Sequence, residues 1–266
     1  MRKFRKTIDF HRKRCIMMLF RALPEPIVSH KGEMKMKKFF ALALALVMVM
    51  AMAACGNKAA DVNAKSEGVM TYAEYDAAAL DTEVVVECYV QAHQSWWDNK
   101  ITVYAQDGDG GYFMYEMACS EEDSAKLVPG TKIRVKGYKA AWEGEVEIVD
   151  ATFEILEGSW VAEATDVTDL LGSEDLIKHQ NKKVVFKGLT IEKVEYKNGE
   201  PGDDIYVTVS KDGTSYDFCV ERYLTGPETE VYAAVGALQV GDTVDIEGFL
   251  YWYAGVNTHI TGVTAQ

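Results

Sequence analysis

Residues that carry catalysis or cross-links are sparse in this chain, and each shortage removes a class of protein. Five cysteines and five histidines are spread through 266 residues. Beyond Cys55 only Cys88, Cys119 and Cys219 remain, and an odd, scattered set does not make a disulfide framework. Cys88, inside VVVECYV, reads as a small buried hydrophobe. His93, His179 and His259 lie too far apart in sequence to point to a shared metal site. G-x-S-x-G, C-x-x-C and H-E-x-x-H are all missing, so no nucleophile elbow, dithiol couple or zinc-protease helix is expected. DGDGG at Asp107 lacks the distal Glu of a calcium loop and reads as a hairpin turn. The expectation is a protein that is not an enzyme, with no metal and no cofactor. The apolar run Phe39–Met52 is shorter than the roughly 18 residues of a membrane-spanning helix.

What is there begins with MKMKKFFALALALVMVMAMAACGN, from Met34 to Asn57. Lys35, Lys37 and Lys38 form a positive start, the apolar run follows, and Ala53-Ala54 put small side chains before Cys55, where a signal peptidase needs a narrow substrate. This resembles the bacterial lipobox, except that Met52 stands where the pattern has Leu or Val. The resemblance implies cleavage before Cys55, a diacylglycerol on its thiol, and attachment to the cell membrane facing outside the cytoplasm. Residues 34–54 are then a lipoprotein signal peptide. The basic residues 1–33 read as a mis-called upstream extension, with Met34 or Met36 the true start and a cytoplasmic tail the alternative. Residues 55–69, small and polar through GNKAADVNAKS, read as a flexible tether. Export leaves a Cys88–Cys119 bridge open.

Removing the signal sharpens the charge. Residues 1–54 hold 12 of the 28 Lys+Arg but 3 of the 41 Asp+Glu, which leaves 16 basic and 38 acidic residues and a net of −22. Such a chain repels polyanions.

The rest repeats itself. Val84-Val85-Val86 matches Val184-Val185-Phe186, ITVYAQDGDGGYFMYEM from Ile101 matches IYVTVSKDGTSYDFCVE from Ile205, and LVPGTKIRVKGY from Leu127 matches LQVGDTVDIEGF from Leu238. Alternating apolar and polar residues predict five strands per copy, in the second copy near 182–194, 204–211, 214–221, 242–250 and 256–264. In the third strand of the first copy Phe113, Tyr115 and Met117 are expected inward, and Tyr112, Met114 and Glu116 outward. Ser120 is expected to cap a short helix, and a second helix to run from Pro227 to Gly236. Gly137 and Gly248 are expected at sharp bends. Three strands, a helix and two strands is the order of the OB-fold, a five-stranded Greek-key barrel. Both copies resemble OB-fold modules of secreted and lipid-anchored bacterial proteins, in which phrases like PGTKIRVKGY and GEVEIVDATF recur. The expected fold is all-β: tandem OB-fold barrels at 70–158 and 182–266. A connector at 159–181 is expected to plug the second barrel with Leu170, Leu171, Leu176 and Ile177.

OB-folds bind oligomers on the face of strands 2 and 3 and the loops joining strands 1–2 and 4–5. In the first copy those loops, HQSWWDNK and AAWEGE, are expected to bring Trp96, Trp97 and Trp142 to one rim beside an outward Tyr104. In the second, YWYAG offers Tyr251, Trp252 and Tyr253. These seven residues are the candidate ligand site, with Asp98, Glu143 and Glu145 as an acidic rim. Stacking rings with acidic neighbours suit an extracellular glycan or peptide. Single-stranded nucleic acid is the alternative, sustained by the basic strip Lys132, Arg134, Lys136 and Lys139 but opposed by the acidic balance. An assembly role with an envelope protein is the third possibility.

Overall fold

The computed structural model describes residues 61–266. The signal segment, Cys55 and the basic start lie outside the described residues. The described residues form one compact unit.

Residues 55–60 of the expected tether lie outside the described residues, and its described part touches the barrel through Lys65. Lys65 Nζ donates to Glu87 O and Asp107 Oδ2, both at 2.6 Å, with its side chain nearly buried. Met70 N–H bonds to Val85 O. Helix α1 (Tyr72–Ala77) follows, started by a capping box in which Thr71 and Glu74 exchange bonds.

Five strands come next: β1 (Glu83–His93), β2 (Lys100–Gln106), β3 (Gly111–Ala118), β4 (Thr131–Trp142) and β5 (Glu145–Ser159). They pair in the order β1–β2–β3–β5–β4, and β4 returns to β1, which closes the barrel and leaves no free edge. The single turn α2 (Glu121–Ser124) lies between β3 and β4, with Ser120 accepting from Asp123 N–H. Val84, Val86, Cys88, Ile101, Val103 and Met114 fill the barrel.

The connector carries β6 (Thr165–Asp166) and two 3-10 turns at Thr168–Leu170 and Glu174–His179. Leu176 is buried in the second core and Leu170 and Leu171 pack on it; Ile177 points to solvent. The second half has β7 (Lys183–Tyr196), β8 (Ile205–Lys211), β9 (Thr214–Val220), α3 (Glu230–Gly236), β10 (Thr243–Phe249) and β11 (His259–Ala265). It is a six-stranded sheet in the order β10–β11–β9–β8–β7–β6, with β10 also paired to β7.

Both expected bends are real. The register shifts between Lys136 and Tyr138, and between Glu247 and Gly248. A Cβ at Gly137 would fall 2.7 Å from Ile148, and one at Gly248 would fall 2.3 Å from the His259 carbonyl. Close approach, not dihedral freedom, requires glycine there. Cys88, Cys119 and Cys219 are buried free thiols, so the Cys88–Cys119 bridge is not formed.

Candidate binding site

The outer face of β2 and β3, expected to be open, is covered by the second half. Tyr104 faces outward as expected but is fully buried. Its ring stacks on Phe249 at 4.5 Å and 11°, and its hydroxyl shares a 2.8 Å hydrogen bond with His259 Nδ1. Burial in this apolar setting lowers the His259 pKa to about 4, so the ring is neutral at neutral pH. Phe113 lies 4.8 Å from Tyr104 and belongs to the same cluster. The inward and outward assignments of β3 are therefore corrected. Tyr112 and Met114 face the core, whereas Phe113 and Tyr115 face out. A bulge is the cause: Ile101 pairs with Met117 but Val103 with Met114, so two residues of β3 oppose Thr102. Glu116 takes φ +46 and gives its N–H to Thr102 Oγ1. That extra residue resets the alternation and returns Met117 to the interior.

Tyr251, Trp252 and Glu145 also leave the expected rim. Tyr251 stacks on His259 at 4.3 Å and meets Phe113 edge-on. Trp252 is half-buried against Gly144, where a Cβ would fall 2.8 Å from its ring. Glu145 is buried between the β4–β5 turn, the connector and this loop. Its Oε2 accepts from Trp252 N–H at 2.8 Å and Gln180 Nε2 at 3.2 Å. Burial pushes its pKa up to about 8, against the pull of those hydrogen bonds. Lys183 N–H to Gln106 Oε1 at 2.9 Å and Asn181 Nδ2 to Val146 O at 3.0 Å tie the same seam. A buried Phe-sized side chain contributes about 1.5–3 kcal/mol. With Tyr104, Phe113 and Phe249 all buried, the two halves form one joined body.

What stays open is a cleft of about 640 Å³ at the end of that seam, lined by Trp96, Trp97, Tyr115, Lys100, Arg222 and Tyr223 among others. Trp97 is held out by the tight turn Trp97–Lys100, closed by backbone bonds in both directions. Asp98 and Asn99 occupy its centre at φ +47 and +60, residues that tolerate the left-handed region a two-residue hairpin turn requires. Trp97 is 77% exposed. Trp96 turns the other way, packs on the barrel core and donates Nε1–H to Cys119 O at 2.9 Å. The second half enters through Tyr223, whose carbonyl accepts from Ser95 N–H at 2.7 Å. Arg222 lies 4.9 Å over the Tyr223 ring. Trp142 and Tyr253 are exposed but line no part of this cleft. The single expected rim is thus three places: a cleft with Trp96 and Trp97, a seam with Tyr104, Tyr251 and Trp252, and isolated exposed rings at Trp142 and Tyr253. Sequence reasoning missed Arg222 and Tyr223; their signal was an arginine beside an aromatic residue just past a strand.

The basic strip is used up internally. Glu87 is buried and pairs with Lys132 at 3.1 Å and Arg134 at 2.9 Å. Lys136 pairs with Glu83. Lys139 is buried and donates to the carbonyls of Tyr75, Asp76 and Ala78. Of the four, Lys136 alone keeps more than half of its side chain exposed, at 59%. At the DGDGG turn, Asp107 accepts from the N–H groups of Asp109 and Gly110, the Tyr112 hydroxyl and Lys65. Its oxygens serve the turn and its neighbours.

No protein-family model and no curated protein matches this chain. Solved structures are similar in part. A murine DNA-binding protein bound to double-stranded DNA shares 11% identity over 68% of this chain and 96% of its own, with a TM-score of 0.34. The Ifi202 HINa domain in complex with 20-bp double-stranded DNA shares 9% over 71% and 98%, at 0.32. Asparaginyl-tRNA synthetase from Entamoeba histolytica shares 13% over 39% and 29%, at 0.28. Similarity of that size decides neither fold nor ligand.

Proposed function

We propose that this chain is a non-enzymatic binding protein of two OB-type modules, 70–158 and 182–266, locked together through the connector. It is held outside the cytoplasm by a diacylglycerol on Cys55 and takes an extracellular oligomer, a glycan or a peptide, in the aromatic cleft. The observation that supports this is Trp97: a large exposed side chain on a tight hydrogen-bonded turn, lining with Tyr115 and Tyr223 a cleft that both halves build. An exposed ring fixed by its backbone loses little entropy when a flat ligand stacks on it.

Single-stranded nucleic acid is the second reading, favoured by Lys100 and Arg222 in the same cleft. Against it stand the net charge of −22 past residue 54 and the internal pairing of Lys132, Arg134 and Lys136.

Tryptophan fluorescence of the full chain, titrated with peptidoglycan fragments, a cationic peptide and an oligonucleotide, separates these readings. Saturable quenching by one of the first two, lost in Trp97→Ala, is expected; an unchanged titration in that variant sinks the cleft. Salt-sensitive quenching by the oligonucleotide alone would move the assignment to nucleic acid. A palmitate label retained in Cys55→Ser would refute the anchor.

A further inference from the structure

In a chain with a net charge of −22 past residue 54, the lining of the cleft is balanced. Lys100 and Arg222 are matched there by Glu116 and Glu228. Lys100 bonds Glu116 at 2.6 Å, and Arg222 lies 3.9 Å from Asp203 and over the Tyr223 ring. A second hollow, of about 750 Å³, lies across the Trp97–Lys100 turn and is lined by Asn99, Ser120, Asp123, Lys126, Thr152 and Phe153 among others. Its one anion and one cation, Asp123 and Lys126, are paired at 2.8 Å. The two hollows are neighbours. Lys100 of the first pairs with Ala118 of the second across β2 and β3, and Cys119 N–H bonds to Asn99 O at 2.9 Å. The Trp96 indole reaches from the first to the Cys119 carbonyl of the second. Trp97 stands on the turn that divides them.

We infer that the ligand is an uncharged oligosaccharide, with one sugar ring stacked on Trp97 and the chain continuing past that ring into the second hollow. This rests on the binding reading of the cleft and narrows it. A charged ligand is favoured by a site that leaves the opposite charge unmatched, and neither lining does. A polynucleotide needs a run of cations along its phosphates, which a balanced lining lacks. A peptide added as a strand needs a free edge with backbone donors. The first barrel closes without an edge, and the N–H groups of Gln94, Ser95 and Trp97 are already given to Thr102 O, Tyr223 O and Lys100 O. A neutral sugar asks for what remains: an exposed ring for its flat C–H face and uncharged side chains for its hydroxyl groups. Trp97 supplies the ring. Gln94 in the cleft, and the exposed Asn99 and Thr152 in the second hollow, supply amide and hydroxyl groups.

The test is isothermal titration calorimetry of the full chain at low and at high salt. The neutral probes are cellotetraose, maltotetraose and N-acetylated chitotetraose, each with its disaccharide. The charged probes are de-acetylated chitotetraose, tetralysine and a ten-residue oligothymidylate. At least one neutral tetrasaccharide is expected to bind saturably, with an affinity that salt changes by less than about twofold because no ion pair is screened. It is expected to bind about tenfold more tightly than its disaccharide, as one or two added hydrogen bonds imply. Trp97→Ala is expected to abolish binding and Trp97→Phe to restore part of it. Asn99→Gly, which suits the φ of +60 at that turn position, combined with Thr152→Ala, is expected to bring the tetrasaccharide down to the affinity of its disaccharide. Tighter binding of a charged probe than of every neutral one, or neutral binding that salt weakens by more than about twofold, overturns the inference while the cleft reading stands. So does a tetrasaccharide with no advantage over its disaccharide, or one whose advantage survives the double variant. If no probe binds, or binding survives Trp97→Ala, the cleft reading falls with it.

Discussion

The β2–β3 face of the first half and the β8–β9 face of the second occupy the same place in the same pairing order, yet they meet different fates. On the first, Tyr104 and Phe113 are buried beneath Phe249, Tyr251 and His259. On the second, Tyr206 is 42% exposed, and next to it Thr208 bonds Asp217 in water. The residues after the bend glycines differ in the same way: Phe249 is buried and Tyr138 is exposed. The pairing order therefore does not decide what the face does. Outward aromatic residues on one copy and a matching aromatic end on the other create a head-to-side contact.

Breaking the buried side of this comparison should have the largest effect. Tyr104→Ala is expected to cost about 3–5 kcal/mol in denaturant unfolding, as for other large core truncations. Tyr206→Ala is expected to stay within about 0.5 kcal/mol. Equal costs would mean that the two faces are equivalent after all.

The seam should also show in pH dependence. Glu145 keeps in the folded state a proton that the unfolded chain releases, because its pKa rises from 4.5 to about 8. Its contribution to stability therefore falls as pH rises through that window. His259 acts in the opposite direction: lowered from 6.5 to about 4, it costs stability as pH falls through that range. The two oppose each other between about 4.5 and 6.5, and above 6.5 Glu145 prevails. Glu145→Gln should flatten the loss of thermal stability between pH 6.5 and 8; an unaltered slope would place the titration elsewhere.

Tyr104→Phe keeps the stacking and leaves His259 Nδ1 without its partner. It should cost about 1–2 kcal/mol, less than Tyr104→Ala, which separates the ring's share of the seam from the hydroxyl's.

Much of this architecture was legible in the sequence because the signals are local. Period-2 alternation marks the strands, Ser120 marks the helical turn between β3 and β4, and the repeated late glycines mark both bends. The connector's Leu176 is where the apolar pattern puts it. The site was less legible, for two physical reasons. A bulge opposite Thr102 shifts the alternation of β3 by one residue, which no periodicity reveals. Whether an outward residue is bare depends on a segment more than a hundred residues away: Tyr104 reads as surface until Phe249 covers it. Glu145 fails the same way, since an acidic residue in a turn reads as rim when nothing near it in sequence says that Trp252 and Gln180 close over it.

The most direct test of the account compares the cleft with the open face as ligand sites. The full chain, Trp97→Ala and Tyr206→Ala are titrated with peptidoglycan fragments and with a cationic peptide under the same conditions. The account predicts that Trp97→Ala loses saturable binding and Tyr206→Ala keeps the parent affinity. Loss of binding in Tyr206→Ala with retention in Trp97→Ala would contradict it, and would make the uncovered β8–β9 face the working surface.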